Sequence, residues 1–247
     1  MLPFEQYLYV LSRGYLFAYR RGWLRSNPYY QYPYFVPKLL RKGDTVIDIG
    51  ANLGYYTTVF AEAVGKSGQV IAVEPVTPVR RVLERNTKQY PQVRILPYAL
   101  GTEDKPIALG NDTLTRDGYV ASGSHYVLDR HNTEASSAEV EFDAEMRRAS
   151  TLFADLERVD FIKIDIEGYE TVVMPELRGL LERHFPIVLM ETNGSKRVEM
   201  LRYMKELSYT PYILKEGNLI PPREGDESDV LFMPALRAGT AILEGLL

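Results

Sequence analysis

The sequence predicts an α/β fold, in which helices cover both faces of a mostly parallel sheet. Three observations predict it: a buried strand that runs into a glycine turn, a second apolar strand that ends in a carboxylate, and a regular alternation of strand and helix patterns. The alternation implies right-handed crossovers between parallel strands. With 247 residues and 45% hydrophobic composition, the chain can form one such domain with additions.

The glycine turn lies in residues 44–55, which read DTVIDIGANLGY. The apolar residues of 45–49 suit a buried parallel strand. Gly50 and Gly54 allow tight turning and close approach of a ligand, and the helix that follows offers free amide donors. The spacing G-x-N-x-G differs from the G-x-G-x-x-G of dinucleotide sites, so a pyrophosphate cradle is disfavoured.

The second strand, predicted over residues 69–73, ends in Glu74. In nucleotide-binding α/β folds, a carboxylate at this place accepts hydrogen bonds from both hydroxyls of a ribose. The two motifs together predict a site for adenosine that carries a small second group. A structural alternative stays open, in which Glu74 only caps the next helix and the glycines only shape a turn. For Asp48, inside the first strand, support of nearby loop amides is an equal alternative to ligand contact.

The remaining elements follow in order along the chain. The first half contains strand 45–49, helix 55–64, strand 69–73, helix 77–89 and strand 93–96. A polar, β-rich insertion at 101–149 then interrupts the alternation, and an insertion of this length predicts a role in substrate choice. The second half contains strand 161–165, helix 170–182, strand 187–191, helix 196–207 and two strands near 210–214 and 229–233. Turn residues between the last two strands predict an antiparallel hairpin.

The predicted domain organisation has three parts. Residues 1–40 form a helical, Tyr/Pro-rich extension, residues 41–234 form the main domain, and residues 235–247 form a tail. Aromatic side chains recur at helical spacing over residues 4–25, which favours a helix packed on the domain or on a partner, with peripheral membrane contact as the alternative. The prolines of residues 27–37 argue against a regular helix there, and one or two of the tyrosines are expected to close over the ligand.

Composition argues against several classes of function. A net charge of −4 gives no electrostatic footprint for nucleic acid. Without cysteine, the chain has no disulfide and no cysteine metal site, and its three histidines leave little for a metal cluster. The first residues lack the pattern of a signal peptide, and no stretch is long enough to span a bilayer. We therefore expect a cytoplasmic protein that does not bind nucleic acid.

Acidic residues follow several predicted strands, and Asp165, Glu167 and Glu191 are the candidate catalytic groups. Ligands of open α/β sheets bind at the carboxyl ends of the strands, so these acids are expected to converge, as a general base or as acceptor-binding groups. Binding of Mg²⁺ is open but not expected, and helix capping is the structural alternative. If the strand continues to Glu167, Lys163 shares its face, where a structural ion pair is favoured. His125 is a further candidate base.

Three motifs carry a family resemblance. VIDIGANLGYYT at 46–57, VEP at 73–75 and FIKIDIEGYE at 161–170 resemble the FkbM-type family of S-adenosylmethionine-dependent methyltransferases. The resemblance covers roughly residues 40–233. It implies a Rossmann-like class I methyltransferase fold, with a mostly parallel seven-stranded sheet and a C-terminal antiparallel hairpin. It also implies S-adenosylmethionine as the cofactor and O-methylation of a sugar, glycan or polyketide-like hydroxyl.

The resemblance also implies roles for individual residues. The glycine turn would hold the methionine part of the cofactor, Glu74 the ribose, and the loop around residues 98–100 the adenine. The residues expected to bind the cofactor are Asp48, Gly50, Ala51, Asn52, Gly54, Tyr55, Glu74, Ala99 and Asp165. The family often has TLD before the third motif, whereas this chain has STLFA at 150–154, so no role is carried over for that acid. An NAD-dependent oxidoreductase and a catalytically silent cofactor-binding module are the alternatives.

Overall fold

The computed structural model describes residues 3–111, 126–127, 140–223, 225–226 and 229–237. The α-helices in this part of the chain are α1 (Phe4–Arg20), α2 (Gln31–Phe35), α3 (Tyr55–Val64), α4 (Thr77–Thr87), α5 (Ala149–Leu152), α6 (Glu170–Glu176), α7 (Arg178–His184) and α8 (Gly194–Glu206). The strands are β1 (Thr45–Ile49), β2 (Gln69–Val73), β3 (Val93–Leu96), β4 (Tyr98–Gly101), β5 (Lys105–Asn111), β6 (Tyr126–Val127), β7 (Val140–Arg148), β8 (Phe161–Ile164), β9 (Ile187–Met190), β10 (Tyr209–Lys215), β11 (Asn218–Ile220) and β12 (Val230–Pro234). No helix in these ranges is both long and apolar enough to span a bilayer.

The main sheet has the strand order β11-β10-β12-β9-β8-β1-β2-β3. The five strands from β9 to β3 are parallel, and β12, β10 and β11 are antiparallel to their neighbours. The predicted mostly parallel α/β sheet is therefore confirmed. The prediction missed β11, a three-residue edge strand. Gly217, with φ of +82°, makes the tight turn between β10 and β11, while β12 pairs with the other side of β10.

Both faces of the main sheet are buried, which explains why its parallel strands read as continuous apolar runs. Alternate residues of each strand enter different cores. Ile47 and Ile49 pack with α6, α7 and α8 on one face, whereas Val46 packs with α2 and α3 on the other. Proline breaks the predicted helix 170–182 into α6 and α7, because Pro175 has no amide hydrogen and its ring crowds the preceding turn.

The predicted insertion forms a second sheet with the strand order β4-β7-β5-β6. Strand β4 pairs in parallel with β7, and β5 lies antiparallel between β7 and β6. Only Pro97 separates β3 of the main sheet, which ends at Leu96, from β4 of the second sheet, which begins at Tyr98. The second sheet therefore stands beside the carboxyl ends of the parallel strands.

The N-terminal extension packs on the domain through α1. Leu8 and Leu16 of α1 are buried, and Nδ2 of Asn86 in α4 donates a hydrogen bond of 2.9 Å to Oγ of Ser12. Helix α1 ends at Arg20, five residues before the predicted end. The expectation of no regular helix in 27–37 was wrong in part, because α2 forms around Pro33. That proline lies in the first turn, where amide hydrogens have no intrahelical acceptor.

Candidate functional site

The glycine turn joins β1 to α3 through three residues with positive φ. Gly50 has φ of +78°, Asn52 of +50° and Gly54 of +87°, and Gly54 is the N-cap of α3. A Cβ atom on Gly50 would lie 1.8 Å from the carbonyl oxygen of Asp165, and one on Gly54 would lie 2.7 Å from Leu83 Cδ1. Glycine is therefore required at both positions, since the backbone runs against neighbouring groups in a conformation that side chains disfavour.

Glu74 connects this turn to the next helix. Its carboxylate is only 6% exposed, and Oε2 accepts a 2.9 Å hydrogen bond from the amide of Asn52 while Oε1 accepts one of 2.9 Å from the amide of Val76. Burial raises the pKa of Glu74 to about 7, and the two amide bonds act in the opposite direction. Because a carboxylate has about four lone-pair sites, each oxygen can accept a further hydrogen bond.

A cavity of about 330 Å³, the first cavity, lies at the carboxyl ends of β1, β2 and β8. Its walls include seven of the predicted site residues, Gly50, Asn52, Glu74, Ala99, Asp165, Glu167 and Glu191. Tyr98 and Leu100 of β4 line it as well. The volume lies within the usual range for small-molecule and cofactor sites. The expected convergence of strand ends therefore produces one concave site with polar groups on one side and apolar groups on the other.

A second cavity, of about 820 Å³, lies on the other side of the glycine turn. Gly50, Asn52 and Asp165 line both cavities. Three residues predicted to bind the cofactor, namely Asp48, Ala51 and Tyr55, line the second cavity and not the first. Asp48 lines the second cavity because side chains alternate along a strand. Its side chain points to the face of β1 opposite to that of Ile49, which lines the first cavity.

Lys163 forms the expected ion pair with Asp165, with 2.7 Å between Nζ and Oδ2. It stands opposite Asp48 in the β1–β8 register, and Oδ2 of Asp48 accepts a 2.6 Å hydrogen bond from Oγ1 of Thr57. Burial favours the neutral form of Asp165, but the charge of Lys163 and the hydrogen bonds from Glu191 and Lys163 together outweigh burial and lower the pKa of that carboxyl. Burial and a hydrogen bond to Asp165 raise the pKa of Glu191 well above its usual range. At neutral pH, Glu191 therefore donates to an ionised Asp165.

Glu167 is an exposed residue of the loop after β8. The strand ends at Ile164 and Glu167 has φ of +51°, so the expected continuation of one strand face to Glu167 was wrong. The capping alternative also fails, because α6 has Tyr169 as its N-cap without a side-chain hydrogen bond. Instead, Oε1 of Glu170 accepts a 3.0 Å hydrogen bond from the amide of Gly168. Burial and the charge of Asp165 raise the pKa of Glu167.

Comparison with known families identifies the fold and the motifs. A family model described as "Methyltransferase FkbM domain" matches residues 48–211. The chain belongs to the FkbM methyltransferase family. The resemblance seen in the glycine turn and in the third motif is thus confirmed. A solved structure of methyltransferase FkbM from Methylobacillus flagellatus KT has a TM-score of 0.55 and 15% identity, covering 82% of this chain and 47% of that one. At this identity, the similarity supports the fold alone.

Two curated relatives match parts of this FkbM-family chain. A protein-L-isoaspartate O-methyltransferase from Methanococcus aeolicus is 36% identical over 75 residues, which is 30% of each chain. Methyltransferase 1 from Beauveria bassiana is 25% identical over 155 residues, 58% of this chain and 61% of that one. The chain thus spans less than two thirds of the length of either relative. Both names describe methyltransferases, in agreement with the family.

The sequence analysis missed Asp229, an acid that lines neither cavity but interacts electrostatically with Lys163 and Asp165. Burial raises the pKa of Asp229 to about 6, against the opposing charge of Lys163. Asp229 comes before a strand, whereas Glu74, Asp165 and Glu191 follow strands. Because β12 is antiparallel, its first residue Val230 pairs with Met190 at the end of β9, which brings Asp229 to the same edge as Glu191. The predicted antiparallel hairpin already contained this signal, because the second strand of such a hairpin begins at the edge where its parallel neighbours end.

His125, the further candidate base, lies outside the described residues. Among the residues that the structure describes, no group of three or more His, Asp or Glu side chains is arranged to hold a metal ion.

Proposed function

We propose that this protein is an S-adenosylmethionine-dependent methyltransferase that O-methylates a hydroxyl of a sugar, glycan or polyketide-like small molecule. The observation that carries the proposal is Glu74, which is buried at the end of β2, held by two backbone amides and turned to the first cavity. Family membership favours this interpretation over an NAD-dependent oxidoreductase.

The residues of the first cavity fit the cofactor. Gly50 has no side chain at the point where a Cβ atom would meet the backbone of Asp165, so the turn stays open to the cavity. The free lone pairs of Glu74 suit the two ribose hydroxyls, as carboxylates at this position do in related folds. Ala99 and Leu100 of β4 offer an apolar wall for the adenine ring. Carboxylates around the cavity favour a cationic sulfonium electrostatically.

When bound, S-adenosylmethionine supplies an electrophilic methyl group, whose carbon bonds to the acceptor oxygen as the carbon–sulfur bond breaks, leaving S-adenosylhomocysteine and the hydroxyl proton. Methyl transfer of this kind depends mainly on alignment. The protein must therefore hold the acceptor oxygen in place and accept its proton.

Asp165 is best placed for that task, because it lines both cavities and is ionised at neutral pH. We assign it to receive the hydrogen bond, and then the proton, of the acceptor hydroxyl at a carboxylate oxygen. Lys163 fixes Oδ2 of Asp165 by its ion pair, and the protonated Glu191 donates to the same carboxylate. Lys163 and Glu191 are thus positioning residues, and Glu167 completes the acidic wall. No role is assigned to His125.

Calorimetry with three ligands tests the cofactor. We expect S-adenosylmethionine and S-adenosylhomocysteine to bind and NAD to give no heat of binding, because the turn lacks the dinucleotide glycine spacing. Tight binding of NAD without a response to S-adenosylmethionine would contradict the proposal. Mass spectrometry of sugars and lipid-linked glycans incubated with protein and cofactor then identifies products heavier by one methylene group.

The substitution Asp165→Asn tests the base. At saturating S-adenosylmethionine, it should reduce turnover by about 10²–10⁴, the usual span for general acid–base catalysis. Asp155→Asn is the matched control, because Asp155 is exposed and lies away from both cavities. If Asp165→Asn retains full turnover on the identified acceptor, then alignment alone accounts for the reaction and Asp165 is structural.

A further inference from the structure

The second cavity is built largely by residues that precede the family domain. The family model begins at residue 48, yet α1 and the tyrosine-rich segment after it form a whole wall of this cavity. Val10, Leu11 and Gly14 of α1 belong to that wall, as do Tyr29 and Tyr30. The opposite wall is the glycine turn and the start of α3, which the first cavity shares through Gly50 and Asn52. The N-terminal extension thus closes a space next to the proposed cofactor site.

Aromatic rings dominate the interior of the second cavity. The ring centroid of Tyr15 lies 4.2 Å from that of Tyr55 and 5.5 Å from that of Tyr30. Tyr56 lines the cavity as well, and Nζ of Lys163 lies 4.8 Å from the centroid of its ring. Tyrosine presents a flat apolar face together with a hydroxyl that hydrogen-bonds, so such walls suit a ring that carries hydroxyl groups.

The floor of the second cavity contains an unsatisfied acceptor. Asp48 is completely buried, and among the described residues its Oδ1 atom has no hydrogen-bond partner. Buried carboxylate oxygens are almost always paired, so a missing partner calls for an explanation. A hydroxyl of a bound molecule would supply the partner. Asp165, assigned above to the acceptor hydroxyl, lies at the same floor.

We propose that the second cavity is the acceptor site, and that it takes a neutral hydroxylated ring joined to an apolar group. The inference rests on the proposed methyltransferase function and deepens it, since it assigns acceptor recognition to residues 1–40. Gly50, Asn52 and Asp165 line both cavities, so a molecule in the second cavity can present a hydroxyl at the boundary with the first.

The charges and the rim of the cavity support this class of acceptor. Among the described residues that line it, Asp48 and Asp165 carry carboxyl groups, and the one cation, Lys163, is already paired with Asp165. A phosphate or carboxylate would face these acids, so a neutral molecule is favoured. At the rim, Val10 is 59% exposed, Leu11 46% and Tyr29 92%. Exposed apolar side chains beside a cavity favour an acceptor with an apolar extension.

Gly14 allows the cavity to be blocked without damage to the fold. A Cβ atom at this helical position meets no described atom within 4 Å, and Gly14 lines the second cavity but not the first. Gly14→Phe therefore places a ring in the cavity. Gly14→Ala is the matched control, since it adds one methyl group and favours the helix.

The probe is octyl glucoside, a neutral sugar ring on an apolar chain, used below its micelle-forming concentration, with octanoate as the anionic comparison. We expect calorimetry to detect octyl glucoside binding to the parent protein and to Gly14→Ala. Gly14→Phe should bind octyl glucoside at least about tenfold more weakly, a difference of about 1.4 kcal/mol. All three proteins should bind S-adenosylmethionine within about twofold of each other. Octanoate should bind more weakly than octyl glucoside.

Unchanged octyl glucoside binding by Gly14→Phe overturns the site, and octanoate binding as tight as that of octyl glucoside overturns the neutral class. No octyl glucoside binding by a protein that binds S-adenosylmethionine also overturns the inference but leaves the proposed function standing. Loss of S-adenosylmethionine binding by the parent protein is instead the failure of the proposed function. If circular dichroism finds Gly14→Phe unfolded, Leu11→Gln replaces it. This exposed substitution should also weaken octyl glucoside binding, and equal binding overturns the site.

Discussion

Replacing Glu74 by Gln tests whether this side chain binds the cofactor and whether it does so in its ionised form. In the free protein, a pKa of about 7 means that about half of the Glu74 side chains are protonated at pH 7. Ribose hydroxyls donate hydrogen bonds, so they favour the ionised form. Binding is then coupled to loss of a proton, and the apparent dissociation constant rises by the factor 1 + 10^(pKa − pH).

The magnitude follows from the same pKa. Between pH 8 and pH 6, this factor grows about tenfold, which is about 1.4 kcal/mol of binding free energy. The Gln variant has no carboxylate to titrate, so this part of the pH dependence should disappear. At pH 8, the variant should bind about 1–3 kcal/mol more weakly, as for loss of a charged hydrogen-bonding partner. The carboxamide also places an NH₂ group against the amide of Asn52 or Val76.

Calorimetry with S-adenosylhomocysteine at pH 6, 7 and 8 measures both effects. Any ionisation of the ligand itself affects parent and variant equally, so the difference between the two proteins reports Glu74. Glu84→Gln is the control, because that side chain lies on α4 and is 55% exposed. Equal pH dependence in parent and Glu74→Gln would refute the reasoning.

Glu74 also makes a prediction about stability. Its folded pKa lies above the ordinary value of 4.5, so its contribution to the free energy of unfolding is fully present below pH 4.5 and is lost as pH rises through about 7. The parent protein without ligand should therefore lose up to about 3 kcal/mol relative to Glu74→Gln between pH 5 and pH 8. Urea unfolding of both proteins at the two pH values measures the difference, and a parent protein that gains stability relative to Glu74→Gln over this range contradicts the assignment.

Two further predictions concern the backbone and the ion pair. Gly50→Ala should lower the free energy of unfolding by about 3 kcal/mol or more, because its Cβ atom would lie 1.8 Å from a backbone oxygen at a φ of +78°. Urea unfolding measures this loss. The control is Gly179→Ala, whose Cβ atom meets no described atom within 4 Å and which should leave the free energy of unfolding unchanged. Lys163→Met should destabilise the protein by about 2–4 kcal/mol, because it leaves the mostly buried carboxylate of Asp165 without its cation, and the loss should shrink at acidic pH as Asp165 takes up a proton. A loss below about 1 kcal/mol at neutral pH would mean that solvent already screens Asp165.

The sequence by itself determined the first half of the parallel sheet and the position of the first cavity. Strands 45–49 and 69–73 and helix 55–64 have the predicted bounds, because short apolar runs and glycines act through neighbours close in the chain. The acid at the end of β2 could be assigned to the ligand edge because parallel strands share one direction. In contrast, the break between α6 and α7 depended on Pro175, whose local effect the periodic pattern concealed.

Only the tertiary structure decided how the second cavity and the acidic edge are completed. Tyr15 meets Tyr55, and Asp229 approaches Lys163 and Glu191, across long separations in sequence. Such contacts depend on where α1 docks and on which strands β12 lies between, and neither is encoded in a local pattern. The docking of α1 follows from burial of Leu8 and Leu16 against the domain, and the position of β12 from its pairing between β9 and β10. Both are set by packing between distant segments, which no single stretch of sequence contains.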